Sequence, residues 1–196
     1  MKIYQYVDYD AYVASQKHAN EIKVGRMWYV KRSTIDQITE HEKQADKKDW
    51  PKKILCHGTR SGEEQKWFKE DFPNAYVIGS EIGDSAWRFD MTVQWDFQKV
   101  KEDWVNKFDI VYSNSIDHSI YPVETLKIWK DQMVEDGTMY LEYSHYRSRA
   151  QPNDPLEADH AELQKYIIAP AGLEIVGKIT RDVKAGGIVY ILKKAS

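Results

Sequence analysis

The chain has 196 residues, of which 42% are hydrophobic and 30% are charged, a size and composition that fit one globular domain and exclude intrinsic disorder. A net charge of −3 gives no global attraction to nucleic acid or anionic membranes. The sequence contains no run of about 18 apolar residues, so no membrane-spanning helix is expected. The single cysteine, Cys56, excludes an internal disulfide and favours a cytoplasmic location.

Two helices are predicted before the first strand. An apolar stripe from Asp8 to Lys23 predicts the first helix. Ser33-Thr34 begin the second helix, with Gln37 at capping-box spacing, and Trp50-Pro51 ends it. We therefore expect residues 1–51 to form a helical cap that packs on the rest of the protein.

From residue 52 onward, short apolar runs alternate with helical segments. The predicted strands are Lys53–His57, Ala75–Ser80, Thr92–Trp95, Phe108–Ser113 and Met139–Tyr143. The predicted helices lie near Glu63–Asp71 and Val123–Val134, with shorter pieces near Ser85–Phe89 and Lys101–Val105. This alternation predicts an α/β fold with a mostly parallel, doubly wound sheet.

The C-terminal segment breaks this rhythm. Asp154-Pro155 is predicted to open a helix that runs to about Ile168. Two strands follow, Leu173–Asp182 and Ile188–Lys193, joined by a short glycine-containing turn. A connection this short makes an antiparallel hairpin, so one strand of the sheet is expected to be antiparallel.

A glycine-bearing turn follows the first of these strands. Gly58 and Gly62 lie between an apolar strand and a predicted helix, where backbone N–H groups can approach a polar ligand closely. Arg60 stands where a middle glycine is expected. By itself, the pattern fits either a nucleotide-binding loop or an ordinary strand–turn–helix connection.

Polar residues follow the next strands at informative positions. Glu81 lies 81 − 62 = 19 residues after Gly62, close to the spacing between a glycine turn and a ribose-binding carboxylate. Asp96-Phe97 and Asn114-Ser115 follow two further strands. Since parallel strands end at the same edge of a sheet, these residues are expected to share one site.

In this order and spacing, the segments resemble the class I S-adenosylmethionine-dependent methyltransferases over roughly Lys52 to Lys194. The resemblance implies a Rossmann-like, seven-stranded sheet with the last strand antiparallel, formed by residues 52–196 as the cofactor-binding domain. It also implies that N-terminal helices close over the active site. The chain departs from the family where Cys56 replaces a usual acidic residue and Arg60 a glycine, although a Gly-x-Arg-x-Gly loop occurs in some branches. The implied cofactor contacts are His57, Gly58, Thr59, Arg60, Gly62, Glu81, Ile82, Asp96, Phe97, Asn114 and Ser115.

The resemblance implies transfer of a methyl group from S-adenosylmethionine, with S-adenosylhomocysteine as product, to a small-molecule hydroxyl or amine by in-line displacement. A hydroxyl acceptor benefits from a general base, and His118 beside Asp117 is the predicted catalytic pair. The predicted substrate contacts after the fifth strand are Tyr143, His145 and Arg147. No metal is expected, because the start of a helix explains Asp154.

Two other functions stay open at this point. A catalytically silent regulatory protein that binds S-adenosylmethionine is favoured by the departures at Cys56 and Arg60. An NAD-dependent oxidoreductase would also use Glu81 on a ribose, but the terminal hairpin argues against it. We expect a small-molecule acceptor as partner and neither membrane nor nucleic acid, and we leave a homodimer open.

Overall fold

The computed structural model describes residues 1–26, 29–44, 50–144, 149–180 and 187–195. The strands are β1 (Lys2–Ile3), β2 (Lys53–His57), β3 (Tyr76–Glu81), β4 (Thr92–Gln94), β5 (Phe108–Ser113), β6 (Met133–Tyr143), β7 (Leu156–Glu157), β8 (Leu173–Thr180) and β9 (Ile188–Lys194). The α-helices are α1 (Tyr9–Lys23), α2 (Arg32–Gln44), α3 (Glu63–Asp71), α4 (Pro122–Gln132) and α5 (His160–Leu163). No helix in the described ranges is both long enough and apolar enough to cross a membrane.

Seven strands form the central sheet in the order β4-β3-β2-β5-β6-β9-β8. The pairs from β4 to β6 are parallel, whereas β9 runs antiparallel to both β6 and β8. Crossovers that contain α3 and α4 provide the length that parallel pairing needs. The predicted doubly wound, mostly parallel sheet with one antiparallel strand is therefore confirmed.

Both faces of the central strands are covered. Leu55 packs into one apolar cluster with Trp129 and Leu141, while its neighbours Ile54 and Cys56 pack into a second cluster on the opposite face. Strand β5 is buried along its whole length. This two-sided burial explains why these strands are continuous apolar runs in the sequence, without alternating polar residues.

His57, at the end of β2, belongs to this core. Its side chain is fully buried, with Nδ1 2.7 Å from Ser80 Oγ and Nε2 2.7 Å from Gln132 Oε1. The ring stacks on Trp129 at 4.7 Å between centroids. Burial lowers the pKa of His57 to about 3, so the imidazole is neutral at physiological pH.

The helix predicted to start at Asp154 begins later. Leu156–Glu157 instead pairs antiparallel with Lys2–Ile3, which ties the N-terminus to this segment. The helix starts after Asp159, whose side chain accepts from the Glu162 N–H while Glu162 accepts from the Asp159 N–H. That reciprocal capping box places the helix start at Asp159, so the prediction for Asp154 was wrong.

Trp129 offers a test of the packing on the first face. It is fully buried, and its Nε1 donates to the Phe97 carbonyl at 3.0 Å. Trp129→Ala should lower the free energy of unfolding by about 3–5 kcal/mol, because it leaves a large cavity and an unpaired carbonyl. Trp87, 76% exposed, is the control, and Trp87→Ala should change stability by less than about 0.5 kcal/mol in urea titrations. Equal losses in the two variants would contradict this account of the core.

Candidate functional site

Two adjoining cavities lie where β2, β3 and β5 end. The larger cavity, of about 190 Å³, is lined by Lys23, Tyr29, Val30, Gly58, Thr59, Arg60, Ser61, Glu64, Asn114, Ser115, Asp117, His118, Ser144 and Asp154. The smaller cavity, of about 50 Å³, is lined by Tyr12, Gln16, Ala19, Asn20, Lys23, Gly58, Arg60, Glu81, Ile82, Asp96, Phe97, Ser115 and His118. Because the two linings share residues of the glycine turn, the cavities form one continuous candidate site.

The turn after β2 approaches the end of β5 closely. Gly58 has φ +70°, and its N–H donates to the Ser80 carbonyl at 2.9 Å. A Cβ atom at this position would lie 2.5 Å from Ser115 Oγ, so a side chain does not fit. Glycine is therefore required here both for its backbone conformation and for the space that it leaves open.

Arg60 adopts a conformation that glycine would tolerate better. Its φ is +45°, a left-handed conformation that costs a non-glycine residue about 1–2 kcal/mol. Its backbone N–H donates to Glu81 Oε2 at 2.7 Å. The turn thus keeps the geometry of a glycine loop and adds a guanidinium group to the wall of both cavities.

Glu81 is held at the end of β3 by two backbone donors. Besides the contact with Arg60, its Oε1 accepts from the Gly83 N–H at 2.8 Å, and the residue is only 4% exposed. A carboxylate oxygen can accept more than one hydrogen bond, so both oxygens retain capacity for a ligand hydroxyl. The carboxylate is therefore held in a fixed position on the wall of the smaller cavity.

Helix α1 covers the smaller cavity. Tyr9 donates from its hydroxyl to Asp96 Oδ2, and the Gln98 N–H donates to Asp96 Oδ1 at 3.0 Å. Gln16 and Asn20, one helical turn apart, line the cavity and are both 7% exposed. Gln16 and Asn20 are polar residues on the buried side of the predicted amphipathic helix, and this position is the sequence signal for a role beyond packing.

His118 lies at the wall shared by both cavities, with a defined hydrogen-bond partner. Its Nδ1 is 2.6 Å from the Asn153 carbonyl oxygen, which can only accept, so Nδ1 donates this hydrogen bond. Asp154 Oδ1 lies 3.7 Å from Nδ1 and Asp117 Oδ1 lies 4.0 Å from Nε2. Burial raises the pKa of Asp117, and the charge of Asp154 raises it further.

These three side chains also have the donor types of a metal site. One ligand atom from each of Asp117, His118 and Asp154 lies within 4.8 Å of the others. However, His118 Nδ1 already donates to a backbone carbonyl. The expectation that no metal binds stays a prediction.

Most of the predicted site residues come together here. All predicted cofactor contacts except His57 and Gly62 line the two cavities, as do Asp117 and His118. The His57 side chain lies in the core, and Gly62, with φ +74°, begins α3 behind the turn. Their contact with a ligand stays a prediction, because the His57 side chain is buried in the core and Gly62 is the N-cap of α3.

The predicted substrate contacts are not supported in the same way. Tyr143 is 3% exposed, and its hydroxyl donates to the Ala158 carbonyl at 2.7 Å, away from both cavities. The ring packs in the apolar core on one face of β6, so its role as a substrate contact stays a prediction. His145 and Arg147 lie outside the described residues.

Glu64 is a functional candidate that no pattern in the sequence indicates. It lies in the first turn of α3, lines the larger cavity and is only 3% exposed. Burial raises its pKa to about 8, and the nearby carboxylates Glu142 and Glu81 raise it further against the opposing effect of Arg60. Two consecutive glutamates at a helix start are ordinary, so only burial distinguishes Glu64 from Glu63.

The raised pKa of Glu64 predicts a pH dependence of stability. Between its ordinary value of 4.5 and about 8, the folded protein keeps a proton that the unfolded chain has lost. Stability should therefore fall as pH rises through this window, by about 1.4 kcal/mol per pH unit. Unfolding free energies of wild type and Glu64→Gln, measured from pH 5 to 8, should diverge in favour of the variant, while Glu63→Gln should parallel wild type. Parallel curves for all three would contradict the prediction.

Structure comparison places this fold among known methyltransferases. The 1,6-didemethyltoxoflavin-N1-methyltransferase of Burkholderia thailandensis superposes with a TM-score of 0.75 at 14% identity, covering 98% of this chain and 92% of that one. An S-adenosylmethionine-dependent methyltransferase from Clostridium acetobutylicum superposes with a TM-score of 0.65 at 11% identity, covering 86% of this chain and 94% of that one. A third match is a chain in the complex between the Haloferax volcanii Trm112 methyltransferase activator and the putative methyltransferase. Its TM-score is 0.64 at 13% identity, and the superposition covers 97% of this chain and 100% of that one.

Sequence comparison adds nothing to these matches. No protein-family model matches the chain, and no curated protein sequence does. At identities this low, the superpositions establish the shared fold, which is the Rossmann-like fold of S-adenosylmethionine-dependent methyltransferases.

Proposed function

We propose that this chain is an S-adenosylmethionine-dependent methyltransferase that acts on a small-molecule hydroxyl or amine. The observation that carries the proposal is the position of Glu81. Its carboxylate is fixed by the Arg60 and Gly83 N–H groups beside a turn where only glycine fits at position 58. That arrangement lies at the carboxyl edge of a sheet with methyltransferase topology, where open α/β sheets bind ligands.

The residues of the smaller cavity fit the adenosine half of this cofactor. Glu81 would accept from the two ribose hydroxyls, while Ile82 and Phe97 offer apolar surface to an adenine ring and Asp96 an acceptor for its amino group. Helix α1, from the N-terminal residues 1–51, would cover this half. The Burkholderia methyltransferase was crystallised with S-adenosylhomocysteine, which supports the same ligand here.

Buried polar atoms support a polar ligand in the site. In the described part of the chain, Asn20 Oδ1, Ser61 Oγ and Asp117 Oδ1 are buried without a hydrogen-bond partner, and all three residues line the cavities. A buried polar atom without a partner costs about 1–3 kcal/mol. A polar ligand that satisfies such atoms therefore stabilises the site.

The larger cavity would hold the amino-acid half of the cofactor and the acceptor. When bound, S-adenosylmethionine supplies a methyl group on a positively charged sulfur, which transfers without a metal. The chain's contribution is mainly to hold the reacting groups in line and to exclude water. In the Burkholderia protein, the bound acceptor is 1,6-didemethyltoxoflavin, a small molecule, which supports an acceptor of this class.

His118 is the proposed general base for a hydroxyl acceptor. The Asn153 carbonyl holds the proton on Nδ1, which leaves Nε2 to receive a proton from the acceptor. Asp154, 3.7 Å from Nδ1, would stabilise the imidazolium that this transfer produces. The buried Asp117 beside Nε2 limits how the acceptor can approach the ring.

Ligand binding tests the cofactor. S-adenosylhomocysteine should bind the wild type in calorimetry, and NAD should not. Glu81→Gln should weaken binding about 10–100-fold, because it removes charged hydrogen bonds to the ribose, whereas the exposed Glu102→Gln should not. Wild-type binding of NAD in place of S-adenosylhomocysteine would overturn the proposal in favour of an oxidoreductase.

Turnover tests His118. With a hydroxyl acceptor found in a panel, His118→Gln should lower kcat about 10²- to 10⁴-fold and leave the Kd of S-adenosylhomocysteine within twofold. The exposed His18→Gln is the matched control and should retain full activity. Unchanged kcat in His118→Gln would remove it as the base. Binding without methyl transfer to any acceptor would favour a catalytically silent regulatory protein.

A further inference from the structure

Glu64 places a buried carboxyl group on the wall of the larger cavity. It follows the glycine turn directly, in the first turn of α3, and is 3% exposed. Its carboxyl accepts a hydrogen bond from the Glu64 backbone N–H, but within the described ranges it forms no ion pair and accepts none from another side chain. A buried carboxyl group that borders a cavity without such a partner is a costly arrangement, and a ligand that supplies the partner would stabilise it.

The charges around Glu64 favour a cationic partner. Glu142 on β6 and Glu81 on β3 face it, together with the neutral side chains Cys56 on β2 and Tyr112 on β5. Tyr112 donates to Glu142 Oε2 at 2.6 Å. Arg60 is the cation that faces Glu64. Glu142 and Glu81 thus add negative potential around Glu64, which favours a positive ligand group beside it, and Arg60 opposes this effect.

The rest of the same wall suits an anion. Lys23 and Arg60 line the larger cavity, and the backbone N–H groups at the start of α3 follow Gly62. Ser61, between them, has an unpaired buried hydroxyl. One cavity thus offers a carboxyl group for a cation and basic groups for an anion, which is the complement of an amino-acid zwitterion.

We propose that Glu64 is the counter-ion of the α-ammonium group in the amino-acid part of the cofactor. The proposal rests on the proposed function, because S-adenosylmethionine and S-adenosylhomocysteine both carry this zwitterion. Asn114, on the same wall, is placed to accept a second hydrogen bond from the ammonium group. Cys56, fully buried on β2, offers no charge for this purpose.

Proton release follows from this role. With the site empty at pH 7, Glu64 is mostly protonated, because burial raises its pKa to about 8. An ammonium group beside it favours the carboxylate, so the O–H proton of Glu64 passes to the buffer as the ion pair forms. Ligand binding and proton release are therefore coupled.

Two ligands separate this role from a structural one. S-adenosylhomocysteine carries the amino-acid group, whereas 5′-methylthioadenosine lacks it. Glu64→Gln should weaken the binding of S-adenosylhomocysteine at least tenfold and leave the affinity for 5′-methylthioadenosine within twofold. Glu63→Gln should change neither affinity. Equal weakening of both ligands in Glu64→Gln, or unchanged affinity for both, would overturn the proposal.

A measurement on the wild type does not depend on the variant's folding. Calorimetry at pH 7 in phosphate and in Tris, which differ in ionisation enthalpy, should report close to one proton released per S-adenosylhomocysteine and none with 5′-methylthioadenosine. Equal heats in the two buffers for S-adenosylhomocysteine would overturn the role of Glu64 while leaving the proposed function intact. Failure of the wild type to bind S-adenosylhomocysteine at all would overturn the proposed function itself.

Discussion

The close approach between the turn after β2 and the end of β5 is the constraint on which the candidate site depends. With a Cβ position only 2.5 Å from Ser115 Oγ, Gly58 lets the two strand ends meet, and Ser115 Oγ donates to the Gly58 carbonyl at 3.2 Å. The turn then directs the Arg60 N–H at Glu81. One steric requirement thus positions the glycine turn, the carboxylate of β3 and the residues after β5 around a common cavity.

Burying an ionisable side chain costs free energy, and three ionisable side chains of the site each have a feature that reduces this cost. Glu81 is held by backbone donors, His118 is fixed by a backbone carbonyl, and Glu64 avoids an uncompensated charge by keeping its proton. Backbone contacts orient Glu81 and His118 in the empty site, so these side chains do not depend on a ligand for their orientation. The proposed cofactor would supply the cation for Glu64, so binding would change the charge of the site more than its shape.

Local patterns predicted the sheet and much of the cavity wall. Apolar runs and turn glycines are local signals, and the strands that they predicted are confirmed in a sheet whose parallel strands end at one edge. Where the prediction failed, a long-range contact decided the outcome. Leu156–Glu157 forms a strand where a helix was predicted, because it pairs with Lys2–Ile3.

The sequence by itself determined the order of strands and helices, the antiparallel end of the sheet and the residues that follow each strand, since backbone periodicity and turn chemistry are local. Only the tertiary structure decided which side chains face the cavity. It placed His57 between Ser80 and Gln132 in the core, covered the smaller cavity with α1, and buried Glu64 while leaving Glu63 partly exposed. Burial depends on what packs from distant parts of the chain, and burial sets both the orientation and the protonation of these groups.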